Sequence, residues 1–141
     1  MIRYLLDTNV ISETARHQPD ANVVRWLGQI QTLTLPAVGV YEIASGIERL
    51  PAGKKRTLLE EWFAELLASD CHVLPFDHAA ALSAAALESE ARSQGRAFEQ
   101  RDLWILAIAK SQSLTVATRN VAHYRGFGVP VYDPFSDTQI L

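Results

Sequence analysis

At 141 residues, with a net charge of −3 and a pI near 5.8, the chain is sized for one domain spanning residues 1–141 and lacks the bulk positive field of proteins that coat nucleic acid. Hydrophobic residues at 48% and charged residues at 21% are ordinary for a soluble globular protein. A lone cysteine, Cys71, excludes a disulfide framework and a thiolate metal site.

The first strand reads from Arg3-Tyr4-Leu5-Leu6, a short apolar run that stops at Asp7-Thr8-Asn9. Asp, Thr and Asn favour turns and helix N-caps, and Val10-Ile11 resumes an apolar pattern, giving strand, sharp exit and helix. A short helix from Val10 to Ala15 is expected to end near His17-Gln18-Pro19, and Asp20 caps a second from Ala21 to Ile30. Leu33-Thr34-Leu35 reads as a strand closed by Pro36. Val40, Ile43, Ile47 and Leu50 recur at helical spacing, until Pro51-Ala52-Gly53 breaks the pattern.

Lys54-Lys55-Arg56 opens a further helix carrying Leu58, Leu59, Trp62, Phe63, Leu66 and Leu67, and the basic trio reads as a solvated helix start. A strand from His72 to Leu74 precedes an alanine-rich helix from His78 to about Ser93, whose small side chains suit close packing. Leu103 to Ala109 is apolar on all sides and so predicts a buried helix, yet is far too short to cross a bilayer. Leu114 to Ala117 and Val129 to Tyr132 read as strands, and the tail from Asp133 is expected to be loosely held. Met1-Ile2-Arg3 leads straight into the first strand, so no signal peptide is expected and the expected location is cytoplasmic. The four histidines lack the paired spacing that zinc sites use.

Strands alternating with helices predict an α/β fold: a central, mainly parallel sheet of about four to five strands flanked by helices. In such a sheet, ligands bind at the carboxyl ends of the strands. Asp7 and Asn120 end strands, while Glu42 and Asp102 lie in or just before the first turns of crossover helices, so topology gathers all four on one edge. Each acid alone has an ordinary structural explanation, Asp7 and Asp102 as helix caps or first-turn acids and Glu42 as a solvated glutamate. Three acids at one edge raise one another's pKa unless a cation joins them, and an all-oxygen site favours Mg²⁺ or Mn²⁺.

Leu5-Leu6-Asp7-Thr8-Asn9-Val10-Ile11-Ser12-Glu13 resembles the opening motif of PIN-domain ribonucleases, particularly the VapC and FitB toxins of bacterial toxin–antitoxin pairs. Val38-Gly39-Val40-Tyr41-Glu42, Arg101-Asp102-Leu103-Trp104-Ile105-Leu106-Ala107 and Leu114-Thr115-Val116-Ala117-Thr118-Arg119-Asn120 are similar to the later motifs, and Gly128 to Pro134 to the closing strand. The resemblance implies a metal-dependent endoribonuclease, usually dimeric, held inactive by a cognate antitoxin. It places the family's acids on Asp7, Glu42 and Asp102, with Mg²⁺, or Mn²⁺, as the cofactor. Asn9, Thr118 and Asn120 stand as supporting residues. The chain departs from the pattern where it carries Asn120 and His123 at positions that hold acids in some members, and in having Arg101 directly before the third acid.

The reaction implied is hydrolysis of an RNA phosphodiester, with Asp7 and Asp102 holding the cation and Glu42 ligating it or orienting the attacking water. No Ser or Cys sits beside a His in a nucleophile motif. A rival reading is a non-catalytic PIN-fold subunit of an antitoxin-containing, DNA-binding regulatory complex. A phosphatase built on a nucleophilic aspartate would want an acid where Asn9 stands, and no glycine-rich dinucleotide fingerprint follows the first strand. A two-fold homodimer is expected, because the apolar residues of the early helices, Trp26 among them, and of Leu58 to Leu67 exceed what a thin domain needs.

Overall fold

The computed structural model describes residues 2–140. Strand β1 (Tyr4–Leu6) leads into helix α1 (Thr8–Ile11), a single 3-10 turn (Ser12–Ala15) and α2 (Ala21–Gln29). Strand β2 (Leu33–Pro36) is followed by α3 (Ala37–Glu48) and α4 (Lys54–Ala68), then by β3 (Cys71–Leu74). Helices α5 (His78–Ser93) and α6 (Gln100–Ser111) precede β4 (Thr115–Ala117), after which come α7 (Val121–Tyr124), β5 (Val131–Asp133) and β6 (Thr138–Ile140).

The main sheet has the order β1-β4-β5-β6, parallel except for the β5–β6 pair, and β2 and β3 form a parallel pair that lies beside β1. Chain order therefore runs outward from β1 in one direction through β2 and β3, and in the other through β4 and β5. The reversal falls between β1 and β4, whose register pairs Leu6 with Ala117. A crevice opens at such a switch point, outside the carboxyl ends of the strands.

Alternation along these two central strands divides the core. Leu5 and Val116 face one side with α5 and α6, while Leu6 and Ala117 face the other with α1 through α4. Ala80, Ala84, Leu87 and Ala91 let α5 approach α6, which is buried at Leu103 and from Ile105 to Ala109, as an all-apolar helix requires. On the second side Trp26 packs edge-on to Tyr4, with ring centroids 4.9 Å apart, and near Tyr132 at 5.3 Å.

Most of the apolar surplus expected to mediate dimerisation is consumed here. Trp26, Leu59, Trp62, Phe63 and Leu66 pack onto this core, leaving Val24, Leu58 and Leu67 exposed.

The expectation of a loosely held tail is corrected. Asp133 accepts hydrogen bonds from the Phe135 N–H (2.8 Å) and the Ser136 hydroxyl (2.9 Å), which folds the chain back on itself. Thr138–Ile140 then pairs antiparallel with β5, covering its free edge. Periodicity does not predict helix α7, since a single turn of helix has too few positions to display one.

Candidate active site

Asp7 closes β1, and the turn into α1 aims its carboxylate into the crevice. It is the N-cap of α1 as well as a candidate site residue: Oδ1 accepts the Thr8 N–H at 2.8 Å. Oδ2 accepts the Thr118 hydroxyl at 2.8 Å and the Asn9 amide at 3.1 Å, and the residue is only 6% exposed. Thr118 is fully buried at the end of β4, where its Oγ1 also accepts the Asn120 N–H at 3.0 Å. Asn9 spans the same gap, its Oδ1 accepting the Arg119 N–H at 3.0 Å and its amide approaching Thr118 Oγ1 at 3.3 Å. Thr118 and Asn9 thus brace Asp7 across the switch point. Asn120 contributes its backbone N–H and leaves its side chain in solvent.

Glu42 lies in the second turn of α3 rather than the first, half-buried beside this cluster. Its Oε1 accepts the Thr8 hydroxyl at 3.3 Å, and Oε2 stands 4.0 Å from the Arg101 guanidinium. Arg101 also lies over the exposed ring of Tyr41, 5.0 Å from its centroid. Asp102, in the first turn of α6, places Oδ1 3.0 Å from the Tyr124 hydroxyl, which donates to it, and Oδ2 3.0 Å from His123 Nδ1.

The electrostatics tie the three acids together. Burial pushes the Asp7 carboxyl above its ordinary pKa; the Thr118 and Thr8 hydrogen bonds oppose this, and the charge of Asp102 adds to it. Burial also raises Glu42, followed by the charge of Asp7, with Thr8 and Arg101 opposing and Asp102 adding a smaller push. Tyr124 is raised by burial first and then by Asp7 and Asp102, so its hydroxyl remains a proton donor at any physiological pH. Its hydroxyl donates to Asp102 and feels the charge of Asp7 as well, which sets it beside both aspartates.

Asp7, Glu42 and Asp102 therefore gather at one edge, with Asn9 and Thr118 beside them. Among the described residues no three acid, histidine or cysteine side chains stand close enough to enclose one ion directly. A cation here would take one or two carboxylates and keep several waters, which is the habit of Mg²⁺. The all-oxygen donors and the raised carboxyl groups suit such an ion.

Sequence reasoning missed Tyr124 as a site residue and the hold that His123 keeps on Asp102. A buried aromatic just after a strand-end Thr-x-Asn was the available signal. Away from the acids, a cavity of about 1030 Å³ opens between α3 and α4, with Thr8 and Glu42 at one end. Its floor is apolar (Leu58, Leu59, Trp62), and Lys54 and Lys55 also line it.

Residues 4–126 match the PIN domain. The toxin FitB of Neisseria gonorrhoeae is 39% identical over 139 residues, covering 94% of this chain and 99% of that protein. The VapC ribonuclease Y4jK of Sinorhizobium fredii is 37% identical over 135 residues, covering 93% and 96%. Among solved structures, FitAcB from Neisseria gonorrhoeae superposes with a TM-score of 0.86 at 38% identity, covering 94% of this chain and 98% of that one.

Proposed function

Because the chain belongs to the PIN-domain family, we propose that it is a Mg²⁺-dependent endoribonuclease, the toxin of a toxin–antitoxin pair neutralised by a cognate antitoxin. The observation that carries this reading is the convergence of Asp7, Glu42 and Asp102, where burial first and neighbouring negative charge after it raise two of the three. Names of relatives, a toxin and a ribonuclease, support it.

In this reading Asp7 and Asp102 are the residues that hold the cation, and Glu42 holds it or accepts a proton from the attacking water. A bound divalent cation supplies Lewis acidity, neutralising phosphate charge and making water a better nucleophile at neutral pH. Glu42 suits the proton-accepting role because burial and neighbouring charge bring a carboxyl closer to working pH. Thr118 and Asn9 keep Asp7 in one orientation, so little reorganisation accompanies binding. Exposed Tyr41 and Arg101 at the rim offer an aromatic face and a guanidinium to single-stranded RNA.

Neutralisation follows from the same charges. An arginine from the antitoxin matches a cluster of carboxylates through its planar fork, and the adjoining groove between α3 and α4 accepts an amphipathic segment. The test is cleavage of RNA by the purified chain with Mg²⁺, with EDTA, and by Asp7→Asn. Mg²⁺-dependent cleavage lost in the variant is expected. Cleavage that survives both EDTA and Asp7→Asn overturns the reading. A chain that never cleaves RNA but binds promoter DNA together with an antitoxin favours the non-catalytic subunit instead.

A further inference from the structure

The two carboxylate oxygens of Asp102 are each engaged by a side chain from the same short helix. Tyr124 donates its hydroxyl to Oδ1 at 3.0 Å, and His123 Nδ1 lies 3.0 Å from Oδ2. The two residues are neighbours in sequence but differ in setting: Tyr124 is fully buried, whereas the His123 side chain is 54% exposed. The helix that carries them is preceded by its N-cap residue Asn120, whose N–H is bound by Thr118 Oγ1, the same oxygen whose proton goes to Asp7. One stretch, residues 118–124, therefore reaches both aspartates.

We propose that Tyr124 and His123 are positioning residues that clamp the Asp102 carboxylate in the plane from which it ligates a divalent cation. The clamp rests on the metal-binding reading above. An unrestrained aspartate turns freely about its last torsion, which is broad and two-fold. With a donor on each oxygen the carboxylate plane is fixed, and each oxygen keeps a further lone pair for an ion. Hydrogen bonds to a ligating carboxylate orient it, and losing such a partner typically weakens metal binding by about 10–100-fold. Neither residue touches the reacting atoms; both act through Asp102.

Mg²⁺ titration calorimetry on the full chain tests this, with Mn²⁺ electron paramagnetic resonance as a second readout of occupancy. Tyr124→Phe removes one hydroxyl and keeps the ring in the core. His123→Ala removes the second donor, while His123→Asn restores an N–H near the place of Nδ1. Tyr124→Phe and His123→Ala are expected to weaken Mg²⁺ binding by about 10–100-fold, and His123→Asn to stay near wild type. In an Asp102→Asn background, Tyr124→Phe should change the Mg²⁺ affinity no further. Should Tyr124→Phe fail to fold by circular dichroism, the contrast between Ala and Asn at exposed position 123 decides. Wild-type affinity in both Tyr124→Phe and His123→Ala overturns the clamp while leaving the metal site standing. A wild-type chain that binds no Mg²⁺ overturns the metal reading itself, and the clamp with it.

Discussion

Replacing Thr118 with Val keeps the shape of the side chain and removes only its hydroxyl. That hydroxyl is buried, donates to Asp7 at 2.8 Å, and accepts from the Asn120 N–H at 3.0 Å. A hydrogen bond to a charged group contributes about 1.5–3 kcal/mol, and the donor left without its acceptor adds about 1 kcal/mol more. We expect Thr118→Val to cost about 3 kcal/mol at neutral pH, a fall in Tm of about 6–12 °C for a domain of this size. The cost should also depend on pH. The folded pKa of Asp7 lies above its ordinary value of 3.8, so between the two the unfolded chain has released the proton and the folded chain has not. Stability falls as pH rises through that window and levels off above the folded pKa. Thr118 lowers the folded pKa; without it the window extends upward, and the variant loses more at pH 7.5 than at pH 4.5. Urea denaturation of both proteins at the two pH values measures this. A cost below about 1 kcal/mol at pH 7.5, or a larger cost in acid, would refute the assignment of Thr118 as the donor that holds the Asp7 pKa down.

Asp102→Asn can still accept from Tyr124 and donate to His123, so its metal-free melt should match wild type. The wild type should gain about 2.7 kcal/mol at a hundredfold excess of Mg²⁺ over Kd and the variant much less; equal gains would dissolve the cluster into unrelated caps. Arg101→Ala removes a charge that holds the Glu42 pKa down. The acid limb of an RNA-cleavage profile should therefore move to higher pH, with KM raised severalfold; an unmoved profile separates Arg101 from the chemistry. Val73, Phe76 and Leu82 remain exposed around β3 and α5, and from these we expect a homodimer. A monodisperse monomer by light scattering at micromolar concentration would remove it.

Much of this site was legible because topology does the gathering. Strands expected to end at Asp7 and Asn120 and helices carrying Glu42 and Asp102 near their starts meet at one edge of any right-handed parallel sheet. Asn120 itself turns its side chain to solvent, and Thr118 takes the inward place. Periodicity failed where the unit was too short or the contact too distant. Tyr124 lies 22 residues from Asp102 in a four-residue helix, and neither number leaves a pattern. Glu13, the other acid of the opening motif, is buried in the 3-10 turn. There it accepts the Asp20 N–H at 2.7 Å and fastens the start of α2. Terminal position alone predicts a loose tail, whereas the turn chemistry of Asp133 supplies the fold-back that holds it.

The β1–β4 pairing also fixes when in its own synthesis this protein acquires a site. Tyr4 pairs with Thr115 and Leu6 with Ala117, so the first strand to leave the ribosome waits for one of the last. N-terminal segments emerge early and fold as they can, but Asp7 has no Thr118 to hold it until more than a hundred residues have followed. A nascent or prematurely terminated chain ending before Thr118 carries all three acids and nothing to align them. For the nuclease proposed above, this delays arming until the β4 segment has been made and has paired with β1. Chains truncated after residue 112 should accordingly be harmless when expressed, although they retain Asp7, Glu42 and Asp102.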